Sequence, residues 1–296
     1  MNLKQIIDKY LSKKVLVWAI GVLALVLCIL TVVGVVRLSS MLRAQKDYKK
    51  LANTVQQAQE AASKPEIEIA LDSAALPTES LQAESTEPVQ QEVAETVPVE
   101  TEPVMLAKYE ALYAENPDLF GWVKIEDTKI DYPVMYAPDE LEKYLYHDFY
   151  GKKFSGGTPY MDVRCTPDSE NYIIYGHNMK NGTMFKHLLK YQDKKFWQNH
   201  QTVSFDTLYA EGEYEVVAAF YDRVYYTYED CFKFYDVIEL DDMESFYDAI
   251  TELKKKSLYD TGVIPEYGTQ LVTLVTCAYH TDNGKFVVVL AEKAEG

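Results

Sequence analysis

The sequence predicts a mainly β domain, a closed or nearly closed barrel, over its C-terminal two thirds. Three observations carry this. Short runs rich in Val, Ile, Tyr and Thr recur from about 121 onward. Turn residues such as Ser155-Gly156-Gly157 and Pro167-Asp168 separate them, and only a few helix-like stretches interrupt them. The last two runs, 271–277 and 285–291, are almost wholly β-branched or aliphatic, as strands buried on both faces would be.

The chain has 296 residues and a formal net charge of −17 that is unevenly spread: about +7 over 1–64, about −10 over 65–104 and about −14 over the rest. An acidic globular part with no basic cluster argues against nucleic-acid binding, because phosphate neutralisation needs Lys or Arg. The four cysteines, Cys28, Cys165, Cys231 and Cys277, fit neither a disulfide framework nor a zinc spacing. A Cys165–Cys231 bridge and two unpaired thiols both stay open.

Residues 1–14 form a polar tail carrying Lys4, Lys9, Lys13 and Lys14. Residues 15–36 carry no charge and as a helix span roughly 33 Å, enough to cross a bilayer. The run is long for a signal-peptide core and no small-x-small site follows it, so it reads as a retained anchor. Basic residues crowd both flanks, which leaves the orientation open. Residues 37–64 suit a polar juxtamembrane helix, with Leu42, Tyr48 and Leu51 too sparse for a coiled coil. The stretch 65–104, with ten acidic residues, no Lys or Arg and repeated Pro, is expected to be an extended, disordered linker.

The folded domain is expected over 105–296. It opens on a helix-like segment at 105–118 that presents Leu106, Tyr109, Leu112 and Tyr113 on one face and stops at Asn116-Pro117. Strands are expected at 121–126, 129–136, 158–163, 170–176, 201–206 and 213–221, with a further one at 234–239. Helical turns are expected at 182–190, 193–199 and 242–257. The last of these is amphipathic through Met243, Phe246, Ala249, Ile250 and Leu253.

Cys277 ends one strand and His177 ends another, a pairing that points to Cys/His acyl transfer. The thiol is the nucleophile such chemistry needs, and the imidazole moves protons near neutral pH. A free Cys also packs like a small hydrophobe, so the pattern alone leaves a structural thiol open. His280, three residues after Cys277, is a rival base, whereas His147, His187 and His200 weigh less. Lys285 and Arg223 are the nearest cations for an oxyanion. No metal constellation and no cofactor motif is apparent.

The motifs IIYGHNMKNGTMF (173–185) and TLVTC…NGKFVVV (273–289) resemble those of the sortases, specifically class B. The resemblance extends over nearly all of 105–296, through NPDLFGWVKI (116–125), DYPVMY (131–136) and SGGTPYMDVR (155–164), and the anchor and spacer are also similar to the family's. It implies a closed sortase-type barrel of about eight strands, with an N-terminal helix and a helix inserted between late strands. It implies a membrane-anchored cysteine transpeptidase on the surface of a Gram-positive bacterium, N-terminus inside and catalytic domain outside. By the resemblance, Cys277 attacks the Thr carbonyl of a five-residue C-terminal sorting signal and His177 is the acid/base. The thioester then passes to an amine of cell-wall precursor or to a pilin lysine. The family's arginine aligns with Lys285, which keeps the charge and loses the planar fork. A catalytically weak or silent sortase-like binding module is the alternative this departure raises. Thr276, Asn178, Tyr279 and Arg223 are expected around the substrate. Neither an Asp-Pro-aromatic lid motif nor a second membrane segment is apparent, which tells against pilus-type class C.

One conflict stands within the motif. Asn283-Gly284 is a strong two-residue hairpin signal, which would set Lys285 opposite Asp282 and far from Cys277. The resemblance instead requires 278–284 to be a loop that returns Lys285 beside Cys277, and that is the expectation adopted.

Overall fold

A computed structural model describes residues 13–62 and 103–294. The tail and the acidic linker expected at 1–14 and 65–104 fall almost wholly outside them. Helix α1 runs unbroken from Lys13 to Ala62, a length of about 75 Å. Its apolar N-terminal part has a window of mean hydropathy 3.0 that is not buried against protein, as a span meant for lipid requires. The helix does not end where the apolar run ends. Beyond it, Ala44, Tyr48, Leu51 and Val55 recur at helical spacing and are all buried. The Tyr48 ring meets Tyr132 edge-on at 5.4 Å and lies 6.3 Å from Phe154. The segment expected to be a polar juxtamembrane helix is therefore docked on the globular part along one face.

Helix α2 (Ala107–Glu115) buries Tyr109 and Leu112 and stops at Asn116, whose amide donates to the Leu112 carbonyl. Eight strands follow: β1 (Leu119–Lys124), β2 (Asp131–Met135), β3 (Tyr160–Met161), β4 (Asn171–Gly176), β5 (Thr202–Thr207), β6 (Glu213–Arg223), β7 (Leu271–Cys277) and β8 (Gly284–Glu292). They close into a barrel in the order β1-β2-β3-β4-β7-β8-β6-β5. Closure leaves the sheet no edge, so every long strand has two neighbours. Helix α3 (Lys194–Asn199) and α4 (Met243–Lys256) lie in the connections. Asp242 caps α4 by accepting from the Ser245 amide, and Phe246, Ala249, Ile250 and Leu253 form its buried face.

Two expectations need correction. Residues 234–239 are not a strand: Phe234–Asp236 is a single 3-10 turn. The closed barrel has no free edge to receive it, and side chains satisfy its backbone instead. Arg164 donates to the Tyr235 carbonyl at 2.7 Å and Asn171 to the Val237 carbonyl at 2.6 Å. The helical turn placed at 182–190 is a 3-10 segment at Phe185–Gln192.

The barrel's most consequential pairing is β4 with β7. They run parallel and in register, with Gly176 opposite Thr276, although 100 residues of chain separate them. The next residues on each strand, His177 and Cys277, therefore leave the barrel side by side at the same end. Gly176 is required there. A Cβ on it would lie 2.4 Å from the Phe185 ring, which is fully buried against this strand end. Gly176→Ala is expected to cost about 1–3 kcal/mol through overpacking and to lower Tm by several degrees. Activity should fall further than the melting shift alone explains, because His177 is the next residue. Calorimetry beside a turnover assay checks both.

Candidate active site

Strands β7 and β8 are antiparallel, with Cys277 directly opposite Lys285. The loop expectation is met, and the two-residue hairpin turn is not formed. Residues 278–283 bulge out, the Ala278 amide donates to the Gly284 carbonyl at 2.9 Å, and Asn283 occupies the left-handed region at φ 55°. The Asn-Gly pair thus ends a longer loop instead of making the whole turn. Directly opposed residues share a face, and here the Lys285 Nζ donates to the Cys277 Sγ at 3.3 Å. A pocket of about 70 Å³ opens beside them, also lined by His177, Tyr160, Tyr175 and Thr158.

His177 is oriented by the backbone. Its Nε2 lies 2.9 Å from the Leu145 carbonyl oxygen. A carbonyl only accepts, so this nitrogen carries a proton, and Nδ1 is left as the nitrogen that exchanges one. The exposed ring of Tyr146 lies 6.0 Å away, tilted against it.

Two tyrosines complete the wall. Burial pushes the Tyr160 phenol up to about 12, with the charges of Asp162 and Cys277 adding to it. Burial likewise raises Tyr175, whose hydroxyl donates to Asp162 at 3.1 Å. Both therefore stay neutral hydrogen-bonding phenols at any working pH. Burial alone would raise the Asp162 carboxyl, but hydrogen bonds and charge from Arg164 bring it below its ordinary value. The stability this pair confers is present above the carboxyl's unfolded pKa and is lost as pH falls through the lowered folded one.

The expected substrate-contacting residues divide. Asn178 is nearly buried and donates to the Cys277 carbonyl at 2.7 Å, clamping the two strand ends together. Thr276 donates to the Gly176 carbonyl at 2.7 Å from a buried position on the β4–β7 seam, and it also lines the pocket. Tyr279 stands exposed on the loop. Arg223 is not brought to the site. It pairs with Gly284, one step from the Asp222–Lys285 pair, so its side chain takes the other face of the sheet. There it bonds Glu229 and lies over the Tyr225 ring at 4.6 Å.

The rival histidines are engaged elsewhere. His280 packs edge-on against Tyr221, which belongs to the Thr276–Phe286 row facing away from Cys277. His147 donates from Nδ1 to Lys143, His187 accepts from the Lys129 amide, and His200 stacks on Phe196. Residues that sequence reasoning missed as part of the site are Leu145, Thr158, Tyr160 and Tyr175. The first acts through a backbone oxygen, which leaves no residue signature. The others lie in segments that were read only as strands or as part of the resemblance.

Among the described residues all four cysteines are unpaired. Cys165 is wholly buried, and burial pushes its thiol up to about 11. Alkylation of the native protein at pH 8 should therefore modify Cys277 and the exposed Cys231 and spare Cys165 until denaturant is added. Peptide mass mapping reads this directly, and comparable labelling of Cys165 would contradict the packing described. Away from the site, Glu170, Glu239 and Asp241 bring carboxylate oxygens within 4.8 Å of one another, the one grouping among the described residues with a metal's ligand types.

This geometry has relatives. Residues 123–294 match the Sortase domain family model. Sortase B of Listeria monocytogenes is 36% identical over 180 residues, covering 60% of this chain and 70% of that protein. Sortase B of Staphylococcus aureus is 30% identical over 186 residues, covering 62% and 73%. A crystal structure of sortase B from B. anthracis superposes with a TM-score of 0.57 at 28% identity, covering 66% of this chain and 88% of that one. The barrel, the paired strand ends and these matches agree: the chain belongs to the sortase family, in its class B group, and is a cysteine transpeptidase.

Proposed function

We propose that Cys277 is the nucleophile, His177 the general acid/base and Lys285 the cation that takes the family arginine's place. The observation that carries this reading is the convergence of the Cys277 Sγ, the Lys285 Nζ 3.3 Å from it and the oriented His177 ring on one pocket. The Cys277 thiolate attacks the Thr carbonyl of a sorting signal near the C-terminus of a secreted protein. The S–C bond forms as a tetrahedral oxyanion, and the Lys285 ammonium faces the growing charge. Collapse breaks the peptide C–N bond, and the departing amine takes a proton from His177. The thioester that remains holds the acyl group in a form an amine attacks readily. An amine of cell-wall precursor, or a pilin lysine, then adds while His177 takes its proton, and the thiolate leaves. Helix α4 and the segment 221–235 border the substrate groove and select the motif.

The unburied apolar part of α1 serves as a single-pass anchor in a Gram-positive membrane, N-terminus cytoplasmic and barrel outside. The test is turnover by the full chain in lipid nanodiscs with a panel of sorting-signal peptides and an amine such as triglycine. Amide-linked product exceeding hydrolysed peptide supports the transpeptidase. Hydrolysis alone would make the protein a peptidase, and no turnover of any panel peptide would favour the silent binding module.

A further inference from the structure

The docked half of α1 has no place in the mechanism above, yet a chain of hydrogen bonds leads from it into the site. Thr158, which lines the catalytic pocket, is almost fully buried. Its hydroxyl donates to the His147 carbonyl at 3.0 Å, and its amide donates to the Tyr144 carbonyl at 2.9 Å. Thr158 thus grips residues 144–147 from both ends. Between those two grips lies Leu145, whose carbonyl orients His177 at 2.9 Å.

Thr158 is itself held from the membrane side. The Tyr48 hydroxyl lies 2.7 Å from the Thr158 Oγ1 and 3.1 Å from the Gly157 carbonyl. Two hydroxyl protons serve three contacts here: Thr158 to the His147 carbonyl, Tyr48 to the Gly157 carbonyl, and the 2.7 Å bond the two hydroxyls share, in which either can donate. Gly157 is fixed in the left-handed region at φ +56°, where a Cβ would fall 2.4 Å from the Tyr144 carbonyl oxygen and 2.6 Å from that of Leu145. Only glycine fits there, and the turn passes close to the carbonyl that holds the histidine.

We propose that Tyr48, on the anchor helix, is a positioning residue for His177, acting through Thr158 and Leu145. The helix that enters the membrane is then a working part of the catalytic site as well as a tether. Tyr48 lies about 18 Å along the helix past Val36, the last residue of the apolar run, so the docking also fixes the pocket close to the bilayer surface. This rests on His177 being the acid/base.

The test uses the full chain in nanodiscs and compares wild type, Tyr48→Phe, Thr158→Val and the double variant. Tyr48→Phe keeps the ring that packs on Tyr132 and Phe154 and removes only the hydroxyl. Expected is a roughly tenfold fall in kcat with KM within about twofold, a displaced pH–rate profile, and a double variant no worse than Thr158→Val alone. A second readout does not depend on turnover. In 15N-histidine NMR spectra, with His177 assigned by its loss in His177→Gln, Tyr48→Phe should shift the His177 ring signals and leave those of His187, His200 and His280 in place. Unchanged kcat and unchanged His177 signals with only a lowered Tm would make the contact merely structural and overturn the proposal. Additive losses in the double variant would also overturn it. If wild type turns over no peptide, the acid/base assignment fails, whereas the spectra still decide whether Tyr48 controls the ring.

Discussion

Removing His177 is expected to slow thioester formation by about 10²–10⁴-fold, and removing Cys277 to abolish it. The two losses differ in kind. Without the Cys277 sulfur no S–C bond forms, so no residual acylation remains. Without the imidazole the thiol and Lys285 still face the substrate carbonyl, but the departing amine has no proton donor held beside it. His177 is half-buried and its ring bonds the Leu145 carbonyl, while its backbone bond from the Phe185 amide survives substitution, so His177→Ala should unfold nothing. Stopped-flow acylation with a cleavable sorting peptide, beside a melting curve, checks both. A His177→Ala protein that acylates within tenfold of wild type would transfer the proton-transfer role to another group. His280 would then be the first to examine.

The second large effect concerns Lys285. Its ammonium sits directly across the β7–β8 ladder from Cys277, so on the proposed mechanism Lys285→Ala removes the cation that faces the oxyanion and should cost about 10²–10³ in rate. Lys285→Arg is expected to stay within about tenfold of wild type or to exceed it, since register and charge are kept and the guanidinium adds donors. Arg223→Ala should change the rate less than twofold, because that guanidinium is engaged by Glu229 on the opposite face. Single-turnover rates for the three variants separate these roles. A large loss in Arg223→Ala with little in Lys285→Ala would reverse the assignment.

Much of the barrel was legible because its strands advertise themselves. The runs at 170–176, 201–206, 213–221 and 271–277 are β-branched, bounded by turn residues, and lie within two residues of the observed strands at their shared ends. The amphipathic α4 was legible through its own apolar spacing. Residues 234–239 misled because an alternating, aromatic run resembles a strand whether or not a sheet edge is free to receive it, and a closed barrel offers none. The docking of α1 was hidden for a different reason. Ala44, Tyr48, Leu51 and Val55 make a thin stripe among polar residues, and the surface they cover is assembled from Tyr132, Phe154 and their neighbours about a hundred residues onward.

At the site, Cys277 and His177 were legible as strand ends, whereas their juxtaposition depends on the parallel β4–β7 register, which is a property of topology. Thr276, next to Cys277, was expected around the substrate; it lines the pocket, and its hydroxyl bonds the Gly176 carbonyl across the β4–β7 seam, a contact that only the topology creates. Asn283-Gly284 shows the limit of turn chemistry. The pair supplies a left-handed residue wherever one is needed, and the six-residue loop needs one at its end as a tight hairpin would in its middle.

The measurement that bears most directly on the account is the intact mass of the full chain after brief exposure to a sorting-signal peptide, repeated with an added amine. The account predicts an acyl adduct on Cys277, mapped by digestion, absent in Cys277→Ala and discharged by the amine. An adduct on Cys231, or turnover that persists in Cys277→Ala, would contradict it.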